Sequence, residues 1–144
     1  MLKGEAERFL SRSPEELFDL AADVERYPEF LPWWSSAQVR ERDSEGYLTD
    51  QTVGIGPLRL RFESKTILLR PKRIEVSSHE APFRRLRLSW SFTPEPGGCR
   101  VGFAVELDFT SRLIEKVVER LLPGVASAII DAFEARARRL PQAG

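Results

Sequence analysis

Residues 98–133 read GCRVGFAVELDFTSRLIEKVVERLLPGVASAIIDAF, and their hydrophobic period changes once, near Thr110. Before that point every second residue is apolar, which is typical of a strand with one buried face. After it, apolar residues recur every three or four positions, which is typical of an amphipathic helix. The sequence therefore predicts a strand that leads directly into a long helix. Pro123-Gly124 should kink or break that helix, because proline removes a backbone donor and clashes with the preceding turn.

The alternation by two extends backwards over residues 36–109 and indicates antiparallel strands with one apolar face. It is clearest in 58–63, where Leu and Phe alternate with Arg and Glu, and in 86–93. Turn-forming residues separate the strands at 44–46, 54–57, 81–82 and 94–98. Residues 2–10 alternate more loosely and supply a first strand, so the prediction is seven strands in all.

Two short helices are predicted after the first strand. Ser13-Pro14-Glu15-Glu16 is a helix start with a capping serine and a proline at the first helical position. Asp23–Leu31 forms the second helix and ends before Pro32. We therefore predict one α+β domain over residues 1–144, a curved seven-stranded antiparallel sheet around a long C-terminal helix. An apolar space between sheet and helix would be a ligand cavity of about 300–1,000 Å³.

The stretch Asp23–Trp33, DVERYPEFLPW, resembles the signature of the coenzyme-Q-binding START-like family. Weaker likenesses follow in the expected order at Val53-Gly54, Pro82–Arg84, Trp90–Phe92, Gly98–Val101 and Phe133–Ala137. The resemblance implies a helix-grip fold of the START/Bet v 1 type. It also implies binding of ubiquinone or a related prenylated lipid, as a carrier or chaperone that supports respiration. Bacterial relatives are described as ribosome-association toxins that block the joining of the ribosomal subunits.

The chain departs from the pattern of this family at two positions. Members commonly carry Cys after the Pro-Trp pair, and here that residue is Trp34. The Pro123-Gly124 break is also unlike the uninterrupted helix of the family. Both changes lie where they could reshape the entrance of a cavity.

Binding of a quinone requires an apolar channel and a few hydrogen-bond donors at one end. Tyr27, Trp33 and Trp34 can donate, and their rings can stack on the quinone. Since neighbouring residues usually point in different directions, we expect one of the two tryptophans to be exposed or to line an opening. The predicted ligand-binding residues are these aromatics, their neighbour and the inward-facing residues of strands and helix: Tyr27, Phe30, Trp33, Trp34, Phe62, Trp90, Phe92, Phe103, Val117, Leu121 and Val125. Each of them could instead serve only to pack the core.

The net charge is zero but unevenly distributed, with −6 over residues 1–50 and +6 over residues 51–144. The stretch from Arg59 to Arg87 contains nine basic and three acidic residues. Two interpretations remain open. The stretch is either a solvated, Arg-rich sheet face or a surface that meets phosphates, on RNA or on anionic lipid. In the second case Arg59, Arg61 and Arg73 would carry binding to the large ribosomal subunit.

Few residues in the sequence suggest catalysis. His79 is the only histidine and Cys99 the only cysteine, so neither a usual metal site nor a nucleophile–base pair is indicated. We therefore expect a protein that binds a hydrophobic small molecule, is not an enzyme, and has neither a metal nor a catalytic cofactor. Without a secretory signal or an apolar run of about 20 residues, the expected location is cytoplasmic, with contact at most to the inner-membrane surface.

Overall fold

The computed structural model describes residues 2–141. Its strands are β1 (Leu2–Leu10), β2 (Trp34–Arg42), β3 (Gly46–Ile55), β4 (Leu58–Leu69), β5 (Arg73–Ser78), β6 (Phe83–Glu95) and β7 (Gly98–Phe109). Its helices are α1 (Pro14–Ala22), α2 (Tyr27–Phe30), α3 (Arg112–Leu121) and α4 (Val125–Arg138). Single 3₁₀ turns occupy Val24–Arg26 and Leu122–Gly124. No helix within residues 2–141 is long and apolar enough to cross a membrane.

All seven strands form one antiparallel sheet in the order β1-β7-β6-β5-β4-β3-β2. The edge strands β1 and β2 follow each other in the sequence, and α1 and α2 connect them across the sheet. The side chains of β7 alternate between buried and half-buried along its whole length. One face of the sheet is therefore covered, and the other is exposed to solvent. The predicted fold class is confirmed, including the two short helices after β1.

Local sequence explains why α1 begins where it does. The Ser13 hydroxyl accepts a hydrogen bond from the Glu16 amide at 3.1 Å, and the Glu16 carboxylate accepts one from the Ser13 amide at 3.4 Å. This reciprocal capping box satisfies two backbone donors that the first turn would otherwise leave unpaired. The contact with Ser13 and with Arg12 also lowers the pKa of the Glu16 carboxyl.

The predicted break in the C-terminal helix is confirmed. Helix α3 ends at Leu121, one 3₁₀ turn holds Pro123 and Gly124, and α4 starts at Val125. Because the turn interrupts the regular helical hydrogen bonding, the two helices cover different parts of the sheet. We call residues 122–124 the hinge.

Helix α4 covers the concave face of the sheet with its apolar side. Trp90 is 1% exposed, and its ring centroid lies 4.7 Å from that of Phe133 on α4 and 4.9 Å from that of Phe103 on β7. At the edge of the sheet, the Arg8 guanidinium on β1 contacts Asp131 at 2.7 Å and Glu134 at 2.5 Å. The buried aromatic cluster should contribute more to stability than these ion pairs, since partly exposed ion pairs contribute little.

Replacement of Trp90 by Ala should therefore lower the free energy of unfolding by about 3–5 kcal/mol, because the truncation leaves a cavity between sheet and α4. Chemical denaturation measures the change. Leu113→Ala is the matched control, because Leu113 is 75% exposed and its truncation should cost less than about 0.5 kcal/mol. Equal losses for the two variants would contradict this assignment of the core.

Candidate functional site

A cavity lies between the concave face of the sheet and the two C-terminal helices. Eighteen residues line it, and all are apolar or aromatic except Gln51. Strands β3 to β7 supply most of the wall, while α3, the hinge and α4 close it with Val118, Leu122, Val125 and Ile129. The interior is therefore an apolar site with a single amide.

The cavity is smaller than the sequence led us to expect. Its volume is about 80 Å³, against about 300–1,000 Å³ for sites that hold drug-sized ligands. Aromatic side chains fill the interior: the Phe83 ring centroid lies 5.0 Å from that of Phe62 and 5.1 Å from that of Phe109. A ligand larger than a few atoms therefore requires the lining to move.

Five of the eleven predicted ligand-binding residues line the cavity: Trp33, Trp34, Phe62, Phe103 and Val125. The other thirteen lining residues were not among those predicted: Gln51, Val53, Leu60, Val76, Phe83, Leu86, Leu88, Val105, Leu107, Phe109, Val118, Leu122 and Ile129. On β4 and β7 a usable signal existed, because Leu60 shares the alternating phase of Phe62, and Val105, Leu107 and Phe109 share that of Phe103. The predicted set contains mainly aromatic residues and omits aliphatic neighbours on the same face of a strand.

Four predicted aromatics lie outside the cavity lining. Tyr27 is buried, and its hydroxyl donates to the Ala21 carbonyl. Burial also raises the Tyr27 pKa well above its ordinary value. The remaining three pack against other side chains: Phe30 beneath the Arg136 guanidinium at 5.1 Å, Phe92 against Phe18 at 5.8 Å, and Trp90 in the core described above.

The other two predicted residues lie on α3. Val117 is half-buried and Leu121 is 41% exposed, and neither belongs to the cavity lining. The cavity-lining positions are instead Val118 and Leu122, each one position further along the chain than the predicted residue.

Both Trp33 and Trp34 line the cavity, although neighbours on an extended chain point to opposite sides. The reason is the backbone of Trp33, whose φ of 74° lies in the left-handed region. This conformation turns the chain before β2 begins, and it is uncommon and strained for a residue with a bulky side chain. The Trp33 carbonyl then accepts a hydrogen bond from the Gly54 amide at 2.8 Å, which fixes the turn against the end of β3.

Gln51 belongs to the cavity lining and also forms part of a short chain of hydrogen-bonded side chains. The Trp34 indole Nε1 donates to Gln51 Oε1 at 2.8 Å, and Gln51 Nε2 donates to the Ser64 hydroxyl at 2.8 Å. An indole N–H can only donate, so the Gln51 atom that faces it must be the oxygen. Gln51 Nε2 carries a second hydrogen beyond the one given to Ser64. The indole donor of Trp34, predicted to serve a quinone, is already used within the protein.

The predicted basic face is not one contiguous patch. Arg59 and Arg61 are exposed on β4 and lie two residues apart. Arg73 begins β5 opposite Leu69, about 33 Å along β4 from Arg59, and its guanidinium contacts Glu75 at 2.6 Å. Between them Glu63 pairs with Arg40, so acidic residues interrupt the surface.

The reactive side chains lie away from the cavity lining. Cys99 is buried on β7, where burial raises the pKa of its thiol, and His79 is exposed just after β5. Within residues 2–141 no three His, Cys, Asp or Glu side chains lie close enough together to hold a metal ion.

Comparison with known proteins gives close matches over most of the chain. The ribosome association toxin RatA of Pseudomonas aeruginosa is 34% identical over 125 residues, which cover 86% of this chain and 87% of that protein. The solution structure of the 18 kDa protein CC1736 from Caulobacter crescentus is 30% identical and covers 96% of this chain and 97% of its own, with a TM-score of 0.79.

A further relative is the mitochondrial coenzyme Q-binding protein COQ10 of Drosophila melanogaster. It is 29% identical over 132 residues, which cover 88% of this chain and 54% of that protein. The model of a family described as polyketide cyclase / dehydrase and lipid transport matches residues 10–134. This match spans β2 to β7 completely and reaches into α4. The chain therefore belongs to the polyketide cyclase / dehydrase and lipid transport family.

Proposed function

We propose that this protein binds a neutral, hydrophobic small molecule, a prenylated quinone such as ubiquinone, as a carrier or chaperone. The observation that carries the proposal is the cavity lining, which is apolar apart from the amide of Gln51. A prenylated quinone matches this lining, because its tail is hydrocarbon and its ring presents carbonyl oxygens that can accept one N–H. The name of the Drosophila relative, a coenzyme Q-binding protein, supports the same choice.

The lining also favours an uncharged ligand. Transfer of an isolated carboxylate or phosphate into an apolar interior costs many kcal/mol unless an opposite charge lies beside it. Among the residues that line the cavity none is ionisable in the ordinary pH range. A fatty acid or phospholipid headgroup would therefore stay outside, while a quinone ring can enter.

The same lining favours binding without catalysis. Cyclisation and dehydration need a general acid or base within about 3 Å of the reacting group. The cavity offers no carboxyl, imidazole or thiol among its lining residues, and the Gln51 amide cannot take up a proton at ordinary pH.

Uptake of such a ligand requires α3 to move. The end of β7 and the start of β4 lie at the same end of the sheet. Phe109 at the end of β7 pairs with Phe83 at the start of β6, and the antiparallel pairing of β4 with β5 brings the start of β4 to this end as well. Helix α3 starts there and ends beside the β3–β4 turn, so it lies across this end of the cavity. Rotation of α3 about the hinge would enlarge the interior without disturbing the sheet.

Gln51→Leu should weaken ubiquinone binding by about twofold to twelvefold, because one net hydrogen bond is worth about 0.5–1.5 kcal/mol. A polyprenyl hydrocarbon forms no hydrogen bond with the amide, so the substitution should not change its affinity. The hydrocarbon concentration needed to displace bound ubiquinone should therefore fall by the same factor. Quenching of the intrinsic tryptophan fluorescence, to which Trp33, Trp34 and Trp90 contribute, measures both.

The matched control is Gln38→Leu, because Gln38 is exposed on β2 and lies outside the cavity lining. It should leave both measurements unchanged. Equal behaviour of the two variants would show that the amide does not contact the ligand, and an absence of binding to the unmodified protein would remove the proposal.

Amide hydrogen exchange should report the movement of α3. Residues 113–124 should exchange faster than β6 and β7, because the hinge interrupts the helical hydrogen bonds, and bound ubiquinone should slow them. Ligand protection confined to the sheet, with α3 unaffected, would contradict a lid at this position.

A second candidate function is association with the large ribosomal subunit. The observation that favours it is the similarity to the Pseudomonas ribosome association toxin over most of both chains. The exposed pair Arg59 and Arg61 is the surface that would meet phosphates, since within residues 2–141 no carboxylate lies within 4.0 Å of either guanidinium.

Double replacement of Arg59 and Arg61 by Glu should abolish co-sedimentation with 50S subunits at low salt, since phosphate contacts depend on these charges. Arg73→Glu should have little effect, because this residue lies at the other end of β4 and already contacts Glu75. Failure of the unmodified protein to pellet with subunits at low salt would eliminate this candidate, and an equal loss with Arg73→Glu would argue against the assigned pair.

A further inference from the structure

Helix α3 carries more apolar residues than it buries. Ile114 and Val118 face the sheet, whereas Leu113, Val117 and Leu121 form a second stripe at positions i, i+4 and i+8. Leu113 is 75% exposed and Leu121 is 41% exposed. They are two of the four large hydrophobic side chains that are exposed within residues 2–141. We call Leu113, Val117 and Leu121 the outer stripe.

A row of basic residues borders the outer stripe. Arg112, Lys116 and Arg120 are also spaced by four residues, and all three are exposed. In the part of the chain that the structure describes, none of them has a carboxylate within 4.0 Å. The acidic residues of the helix, Glu115 and Glu119, lie on its far side from the outer stripe. The surface thus combines exposed leucines with cations that have no ion-pair partner.

The outer stripe continues onto the turn between β3 and β4. Leu121 Cδ1 lies 3.4 Å from the point where a Cβ on Gly56 would stand. Gly56 has a φ of 59° and, together with the exposed Pro57, forms the tip of this turn. Trp33 is close by, because its carbonyl bonds the Gly54 amide. The leucines, the turn and the end of the cavity covered by α3 therefore lie on one side of the molecule.

We propose that this surface docks on a lipid bilayer whose headgroups are anionic, with the outer stripe in the interface and the basic row against the phosphates. An exposed apolar stripe beside Lys and Arg is the pattern by which amphipathic helices lie in a membrane interface. The proposal holds whichever molecule the cavity binds. Because α3 also covers the cavity, docking would bring the moving element into contact with the bilayer.

A lipid surface fits this pattern better than RNA does. Phosphates on RNA would be contacted by the basic row alone and would leave Leu113 and Leu121 in water. A bilayer covers both at once. Each basic residue near an anionic surface should contribute about fivefold in affinity, and the leucines should add binding that salt does not screen.

Flotation of the full chain with phosphatidylcholine vesicles, and with vesicles that also contain phosphatidylglycerol, tests the proposal. We expect binding to the second kind only. Lys116→Gln with Arg120→Gln should reduce it about thirtyfold, and Leu113→Ser with Leu121→Ser should reduce it about tenfold or more. Circular dichroism and the melting temperature check that each variant is folded.

Matched controls lie elsewhere on the sheet. Leu69→Ser removes a leucine that is 52% exposed at the other end of β4, and Lys65→Gln with Lys72→Gln removes two exposed charges. Neither should change flotation by more than about twofold. The proposal is overturned if the protein binds neither vesicle, if the controls lose as much as the α3 variants, or if the α3 residues matter only for co-sedimentation with ribosomal RNA.

Discussion

The structure depends on the need to cover one apolar sheet face with a single C-terminal segment. An unbroken helix over residues 112–138 would be about 40 Å long and could follow the sheet in only one direction. The hinge at Pro123-Gly124 divides that segment into two helices. Helix α4 packs Phe133 onto Trp90 and fixes the fold, while α3 lies across one end of the sheet and closes the cavity. Helix α4 therefore stabilises the fold, and helix α3 closes the cavity.

This division explains how a cavity of about 80 Å³ could open to admit the ligand proposed above. Helix α3 contributes few residues to the core, of which Val118 is fully buried, so it can move at less cost than α4. Its inward face closes an apolar interior, and its outward face carries leucines and cations. If α3 rests on a bilayer, the contact that recruits the protein and the movement that opens the cavity involve the same helix.

Alternation of apolar residues was sufficient to predict the sheet, and the Pro123-Gly124 pair was sufficient to predict the hinge. The same alternation could have identified most of the cavity wall, because inward aliphatic residues such as Leu60 share the phase of Phe62. Two features were beyond the sequence. The left-handed backbone of Trp33 is uncommon for its residue type, and it directs both tryptophans into the cavity. The pairing of Trp34 with Gln51 depends on the register between β2 and β3. In the same way, the distance between Arg73 and Arg59 depends on the register between β4 and β5.

We propose that the cavity takes up one neutral, prenylated molecule. Native mass spectrometry of the intact protein, after incubation with vesicles that contain ubiquinone and removal of the vesicles, tests it most directly. We expect a single added mass equal to one ubiquinone, and a solvent extract of the same sample should contain that ubiquinone. A spectrum of unmodified protein alone, or an added mass that belongs only to a charged phospholipid, would contradict it.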